Sequence, residues 1–549
     1  MKRFSILLTL FSVCISSTFT SACKEKDDDA LEVIYCSING VTLAEGQKTE
    51  NIPSDTWRME IAFDKAIDFS KINRSKIYFS NNLLNNNCTV SAHVSNNKAL
   101  VFSGTTELPK NISCVLNINE GENLGGRITK NYQYGFTVQR DPVPQISDDS
   151  LLTLVQYRTF NYFWDYGHPV SGLARERTGS GNTVTSGGSG FGVMAILVGI
   201  ERGFISRNQA LERLTAIVSF LKNNANKFKG AFSHWLNGAT GAAIAFSHSD
   251  NGGDLVETAF MIQGLLTVYE YFKNDASAAS LCADIQELWR GVEWDWYRKG
   301  NENMLYWHWS PDKGWAMNMG IRGWNECLIA YVLAASSPTH TITKEVYDNG
   351  WAKNGAISNG KSFYDVVLPL GEDRGGPLFF THYSFLGLNP HKISDRYADY
   401  WEQNTAHAQI NYRYCAANPR GFAGYGPNCW GLTASDIPGG YTASSPNNDN
   451  GTIAPTAALA SMPYTPVESM NALRHFYYNL GHDIWSDYGF KDAFNQTEDN
   501  WVAAGYLAID QGPVVVMIEN YRTGLLWNLF MQNTDVQAGL NKLGFTVQP

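Results

Sequence analysis

Apolar residues in Leu151–Trp164 recur at three- and four-residue spacing, which predicts a helix with one buried face. Upstream the period is two. Trp57–Phe63, Lys98–Phe102 and Tyr132–Val138 alternate between Asn/Gly/Ser-rich turns and predict short half-buried strands. The period changes across residues 141–149, which carry Pro142 and Pro144, so the chain is expected to divide there. This gives a small β-sandwich over 31–140, a linker over 141–149, and a helical domain over 150–549.

Within the helical domain a single unit recurs: a Gly/Pro/polar loop followed by an unusually apolar helix. It appears at Ser189–Leu197, Gly253–Leu266, Gly320–Tyr331, more weakly at Phe380–Leu386, and again at Ala454–Ala460 and Asp510–Glu519. The starts lie roughly 55–75 residues apart, a repeat length that suits helix pairs. A helix apolar all round must be buried on all sides, whereas Arg207–Lys222, between two units, is amphipathic. Six such inner–outer pairs describe an (α/α)6 barrel, with an ordinary helix bundle or helical array as the alternative. In a barrel the inner helices start at one rim, so chemistry is expected at those starts.

Carboxylates stand there. Asp250, Asp254 and Glu257 lie within eight residues, and Asp254 with Glu257 has capping-box spacing. Capping leaves Asp250 unexplained, and three close acids either bind cations or hydroxyls or raise a carboxyl pKa. Glu326 follows Trp324. Against an indole it would keep its proton, whereas a pair with Arg322 would hold it ionised. Asp510 precedes Pro513 and reads as a helix cap that also faces the rim. Glu519 and Arg522 read as an ion pair. Around these lie His234, Trp235, Trp307, His382 and Tyr383, with Trp315, Trp430, Arg175 and Arg177 nearby. Aromatic faces stack on sugar rings, and bidentate groups pair with hydroxyls. Asn447–Gly451 reads as a turn rather than a calcium loop.

Composition narrows the function classes. The chain has 549 residues with Lys+Arg 42 against Asp+Glu 52, a net charge of −10, which argues against a nucleic-acid partner. Of its 16 tryptophans only Trp57 precedes residue 147. No P-loop, G-x-S-x-G or H-E-x-x-H motif occurs, and no cofactor or metal is expected. Residues 1–22 read as a secretory signal peptide ending at Thr20-Ser21-Ala22-Cys23, which resembles a bacterial lipobox with Cys23 lipidated. The acidic linker 23–30 resembles an export tag of surface lipoproteins, so an outer-membrane anchor is expected, and a monomer. Seven cysteines remain, with no zinc spacing. Cys88 and Cys114 could pair across strands.

The β-rich segment resembles bacterial Ig-like modules. The segments Ser249–Ala259, Gly323–Glu326, Thr381–Ser384, Ala454–Thr456 and Ile509–Pro513 together resemble the "glucoamylase-like" bacterial proteins of glycoside hydrolase family 144, which include endo-β-1,2-glucanases. The resemblance covers about residues 148–548. It implies an (α/α)6 barrel and hydrolysis of β-1,2-glucan with inversion, for which two carboxyls about 6.5–9.5 Å apart are needed. By it, Asp250, Asp254, Glu257 and Glu326 match the family's important acids, and Asp510 another. Glu326 is expected as general acid and Asp510 as general base. Asp250, Asp254, Glu257, His234, Trp235, Trp307, Arg322, Trp324, His382 and Tyr383 are expected to bind sugar. The alternatives are an exo-acting or other-linkage glucan hydrolase, and a non-catalytic glycan-binding lipoprotein.

Overall fold

The structure, a computed structural model, describes residues 29–93, 97–110, 112–139 and 143–548. The expected signal peptide, Cys23 and most of the acidic linker lie outside the described residues. The chain divides into two units, Met1–Pro144 and Gln145–Pro549.

The first unit is β-rich. One sheet runs Lys48–Ile52, Tyr132–Val138, Ser113–Ile118, Ile77–Phe79 in spatial order. The other runs Val41–Thr42, Val33–Ile38, Thr56–Phe63, Ala99–Glu107, Cys88–Ala92. Alternation sends Trp57, Met59, Ile61 and Phe63 inward, where they join Phe79, Phe102, Leu116 and Phe136 from both sheets in one core. One expectation needs correction. Ala30–Leu31 pairs with Arg127–Ile128, so ordered structure begins inside the stretch read as linker. Cys88 and Cys114, whose pairing the sequence left open, are both free and bond locally, Cys88 to the Asn85 carbonyl and Cys114 with Ser80.

The second unit is a ring of short inner elements: Ser186–Glu201, Leu255–Phe272, Leu328–Ser336, the 3-10 turns Leu378–Thr381 and Ser384–Leu386, Pro455–Ala460, and Ala508–Thr523. Packing runs from each helix to the next and closes when Ala508–Thr523 meets Ser186–Glu201. His382 against Ser461, and the Tyr464 hydroxyl donating to the Thr381 carbonyl, join the fourth element to the fifth. Every residue from Ser186 to Gly199 is buried, as an inner helix requires. The outer helices bury single stripes: Ala279–Arg290 buries Leu281, Cys282, Ile285, Leu288 and Trp289. The C-terminal helix Thr534–Leu543 covers Leu328–Ser336. The third inner helix starts at Leu328, after the loop that opens its unit. The fourth element contains no α-helix at all.

Inner helices meet closely where side chains vanish. A Cβ on Gly264 would lie 2.2 Å from the Gly190 carbonyl oxygen, and one on Gly190 would lie 2.3 Å from that of Phe260. Neither neighbour is a flexible side chain, so the helices would have to separate. Gly264→Ala is therefore expected to destabilise the helical unit by about 1–3 kcal/mol, whereas Gly426→Ala, which meets nothing within 4 Å, should be near neutral. Thermal melting of the two variants checks this. Equal midpoints would contradict the close-approach account.

Candidate active site

The start of helix Leu255–Phe272 carries the densest charge. Asp254 is its N-cap: one carboxylate oxygen accepts the Val256 and Glu257 amides, both at 2.9 Å. The short strand Gly253–Asp254 pairs with His308–Trp309, which places the Trp307 indole to donate to the other oxygen at 3.0 Å. Half of the expected capping box forms. Glu257 reaches instead to the preceding inner helix, where its Oε2 accepts the Gly187 amide at 2.8 Å and the Thr185 hydroxyl at 3.3 Å. Glycine at 187 leaves room for this approach, since a Cβ there would sit 2.3 Å from that oxygen and displace the carboxylate.

His234 lies among these acids, with Nδ1 3.3 Å from Asp254 and 3.7 Å from Asp250, and Nε2 3.9 Å from Glu257. Burial opposes its charged form, but the Glu257 charge and the bonds to Asp250 and Asp254 outweigh that and lift its pKa well above the usual histidine range. Glu257 is pushed up to about 7, chiefly by burial, with His234 opposing. His308 Nε2 accepts the Gly252 amide, and burial lowers its pKa, so it stays neutral. It therefore donates nothing from Nε2 to Asp250 Oδ1, 3.2 Å away, which is buried without a donor. His234, Asp250 and Asp254 bring ligand atoms within 4.8 Å of one another and could hold a cation, but the charged imidazole already supplies the positive charge there.

Glu326 stands two residues before helix Leu328–Ser336 and is 9% exposed. Burial first, then the charges of Glu257 and Asp254, raise its pKa to about 7. No ion pair joins it to Arg322, which is exposed, so the ionised reading of Glu326 is corrected. Ser384 from the 3-10 turn fixes its backbone by donating to the Glu326 carbonyl and accepting the Ile329 amide.

Asp510 lies inside the first turn of Ala508–Thr523, whose N-cap is Leu507, so capping does not account for it. Its Oδ1 accepts the Tyr383 hydroxyl at 3.3 Å, and burial first, then neighbouring Asp492, hold its pKa well above the carboxylate range. Tyr383 packs with Phe191 at 5.1 Å and Phe260 at 5.6 Å, a trio from three inner elements. The charges of Asp510, Glu326 and Glu257 all reach it.

Several expected sugar contacts belong instead to the packed interior. Trp324 donates its indole N–H to His407 and is 6% exposed. His382 pairs with Ser461, and burial drives its pKa down to about 3. Trp430 is fully buried and donates to the Glu468 carbonyl. Arg322 is exposed and touches none of the rim acids. Arg175 is bound to the Tyr166 and Gly181 carbonyls. Glu519 pairs with Arg202 and Arg522 with Asp149, not with each other. These pairs, with Arg474–Asp148, satisfy the arginines of a groove of about 870 Å³ lined by the start of Asp148–Trp164 and the end of Ala508–Thr523. Asn447–Gly451 is a turn whose Asp449 accepts the Gly451 amide and the Tyr414 and Tyr425 hydroxyls.

The sequence reading passed over Phe246 and Asp492. Phe246 is 48% exposed, stacks on His234 at 4.1 Å and edges Trp235 at 4.9 Å, an open aromatic face beside the acids. It stands four residues before Asp250, and that proximity was its only signal.

The raised pKa of Glu326 sets a pH-dependent cost. Between about pH 4.5, where an unfolded glutamate releases its proton, and about 7, the folded chain binds more protons, so stability falls as pH rises. Glu326→Gln should therefore melt like the parent at pH 4 and be more stable at pH 8, by up to about 3 kcal/mol. A variant less stable at pH 8 would contradict the burial account.

A family model described as "Putative glucoamylase" matches residues 318–534. An exo β-1,2-glucooligosaccharide sophorohydrolase (non-reducing end) of Parabacteroides distasonis is 49% identical over 421 residues, or 72% of this chain. The match spans 58% of that relative's length. The endo-β-1,2-glucanase of Chitinophaga pinensis, solved with sophorotriose and glucose, is 56% identical with TM-score 0.71, covering 73% of this chain and 99% of that one. A β-1,2-glucanase structure from Parabacteroides distasonis is 39% identical with TM-score 0.71, covering 93% of this chain and 74% of that one. On this likeness the chain belongs to the glucoamylase-like proteins of glycoside hydrolase family 144.

Proposed function

We propose that the chain is a glycoside hydrolase that cleaves β-1,2-glucan with inversion. The observation that carries this is Glu326: a glutamate whose burial raises its pKa to about 7, without a basic partner among the described residues, at the rim that also holds Asp510. Such a carboxyl holds a proton to deliver at neutral pH. Glu326 donates it to the glycosidic oxygen as the bond to the anomeric carbon breaks. A water attacks that carbon and passes its proton to Asp510. Binding alone does not require a proton-holding acid at the rim.

Asp250, with its donorless Oδ1, accepts a sugar hydroxyl, and Asp254, Glu257 and His234 form the charged wall beside it. Trp235 and Trp307, with Phe246, offer aromatic faces. The Chitinophaga relative is named an endo-enzyme and the first Parabacteroides one an exo-enzyme, so the family resemblance supports both modes of cleavage. The β-rich unit serves as an Ig-like spacer, and Cys23 as the lipid anchor of a monomer on the outer membrane.

Purified protein is expected to release reducing ends from linear β-1,2-glucan, and not from laminarin or starch. Glu326→Gln should lower turnover by about 10²–10⁴-fold while sugar binding persists. Near-normal turnover of that variant would overturn the assignment, and release from laminarin or starch instead would overturn the linkage. The ladder of product lengths separates endo from exo action.

A further inference from the structure

Asp492 lies between strands Gly489–Phe490 and Phe494–Asn495 and is 1% exposed. Its backbone amide bonds the Gly505 carbonyl, and its Oδ2 accepts the Asp436 amide at 2.7 Å. Its Oδ1 has no donor. Asp510 is its mirror image: Oδ1 accepts the Tyr383 hydroxyl, and buried Oδ2 has no donor. The two carboxyls lie within hydrogen-bonding reach of each other, with no donor from the rest of the protein on either of these oxygens. Ionised carboxylates only accept hydrogen bonds, so a single proton placed between these two donorless buried oxygens satisfies both.

The surroundings leave no other way to balance the charge. Asp436, from strand Ala434–Ile437, faces the pair, as do Tyr441 from Gly440–Ala443 and Tyr383 from the 3-10 turns. Among the described residues the nearby cation is Arg177, at 3.0 Å from both Asp436 and Glu176. With those two acids it is already outnumbered. No described cationic group pairs with Asp492 or Asp510, and two buried like charges in contact repel strongly.

We propose that Asp492 and Asp510 work as one unit, two carboxyls holding a single shared proton, in which Asp492 positions and tunes Asp510 as the acceptor of the water proton. This rests on the hydrolase reading above. Before the step the unit carries one proton and one negative charge. Water forms its bond to the anomeric carbon, its proton goes to Asp510, and the unit ends with two protons. The Glu326 proton meanwhile leaves with the departing sugar oxygen. Asp492 touches no substrate. Its effect is to share the pair's single proton with Asp510, so that the pair keeps one negative charge able to accept the proton of the water.

The test is the pH profile of kcat/KM on β-1,2-glucooligosaccharide for Asp492→Asn and Asp492→Ala. Asparagine keeps a neutral donor to Asp510. It should leave the acid limb in place, with kcat lowered several-fold and KM unchanged. Alanine removes the donor, and the acid limb should move up by about one pH unit or more. If Asp492 is ionised independently of Asp510, both variants remove a repelling charge and shift the limb down together, which would overturn the proposal. Melting gives a readout that does not depend on activity. From pH 5 to 8.5 the parent midpoint should fall relative to that of Asp492→Asn, because the folded pair retains a proton that the unfolded chain has released. Parallel midpoints would overturn the shared proton. A parent protein inactive on every glucan would overturn only the hydrolase reading, leaving the melting comparison to decide the pairing.

Discussion

The structure turns on a shortage of positive charge where its acids are buried. Asp250, Asp254, Glu257, Glu326, Asp492 and Asp510 are all nearly inaccessible; among the described residues the His234 imidazole is the cationic group beside the first three, and Arg177, near Asp492, is already engaged by Glu176 and Asp436. A buried carboxylate without a partner is costly, so each group finds donors, shares a proton or keeps its own. Asp254 takes two helix amides and an indole. Glu257 takes an amide from the neighbouring helix. Glu326 and the Asp492–Asp510 pair hold protons. Differences in local donor supply thus assign different protonation states to acids of the same chemistry.

The ring makes that arrangement possible. Six short inner elements converge at one rim, and glycines at 187, 190 and 264 let their backbones and side chains approach closely. The fourth element is a pair of 3-10 turns, and this departure from helix has consequences. It brings Ser384 to the Glu326 carbonyl, Tyr383 to Asp510 and His382 to Ser461 within three consecutive residues.

Much of this was legible in the chain. Apolar runs with no polar face mark the inner helices, and period-two alternation marks strands such as Thr56–Phe63, because burial geometry writes itself into periodicity. Asp254 could be read as a cap from spacing alone. Glu257 could not be placed, because its partners Thr185 and Gly187 are 70 or more residues away. Trp324 and His382 were misread as sugar contacts, since an aromatic beside a motif looks the same in sequence whether it faces solvent or His407. Asp492 carried no motif, and its meaning arises only from facing Asp510 across the fold.

The central claim is that two carboxyl stations act on opposite partners of one bond, Glu326 on the leaving oxygen and Asp510 on water. The most direct measurement is proton NMR of the anomeric signals during the first minutes of hydrolysis of a β-1,2-glucooligosaccharide. Attack by water from the face opposite the leaving group predicts that the new reducing end appears first as the α-anomer and then mutarotates. First appearance of the β-anomer would mean retention through a covalent intermediate, and would contradict the account.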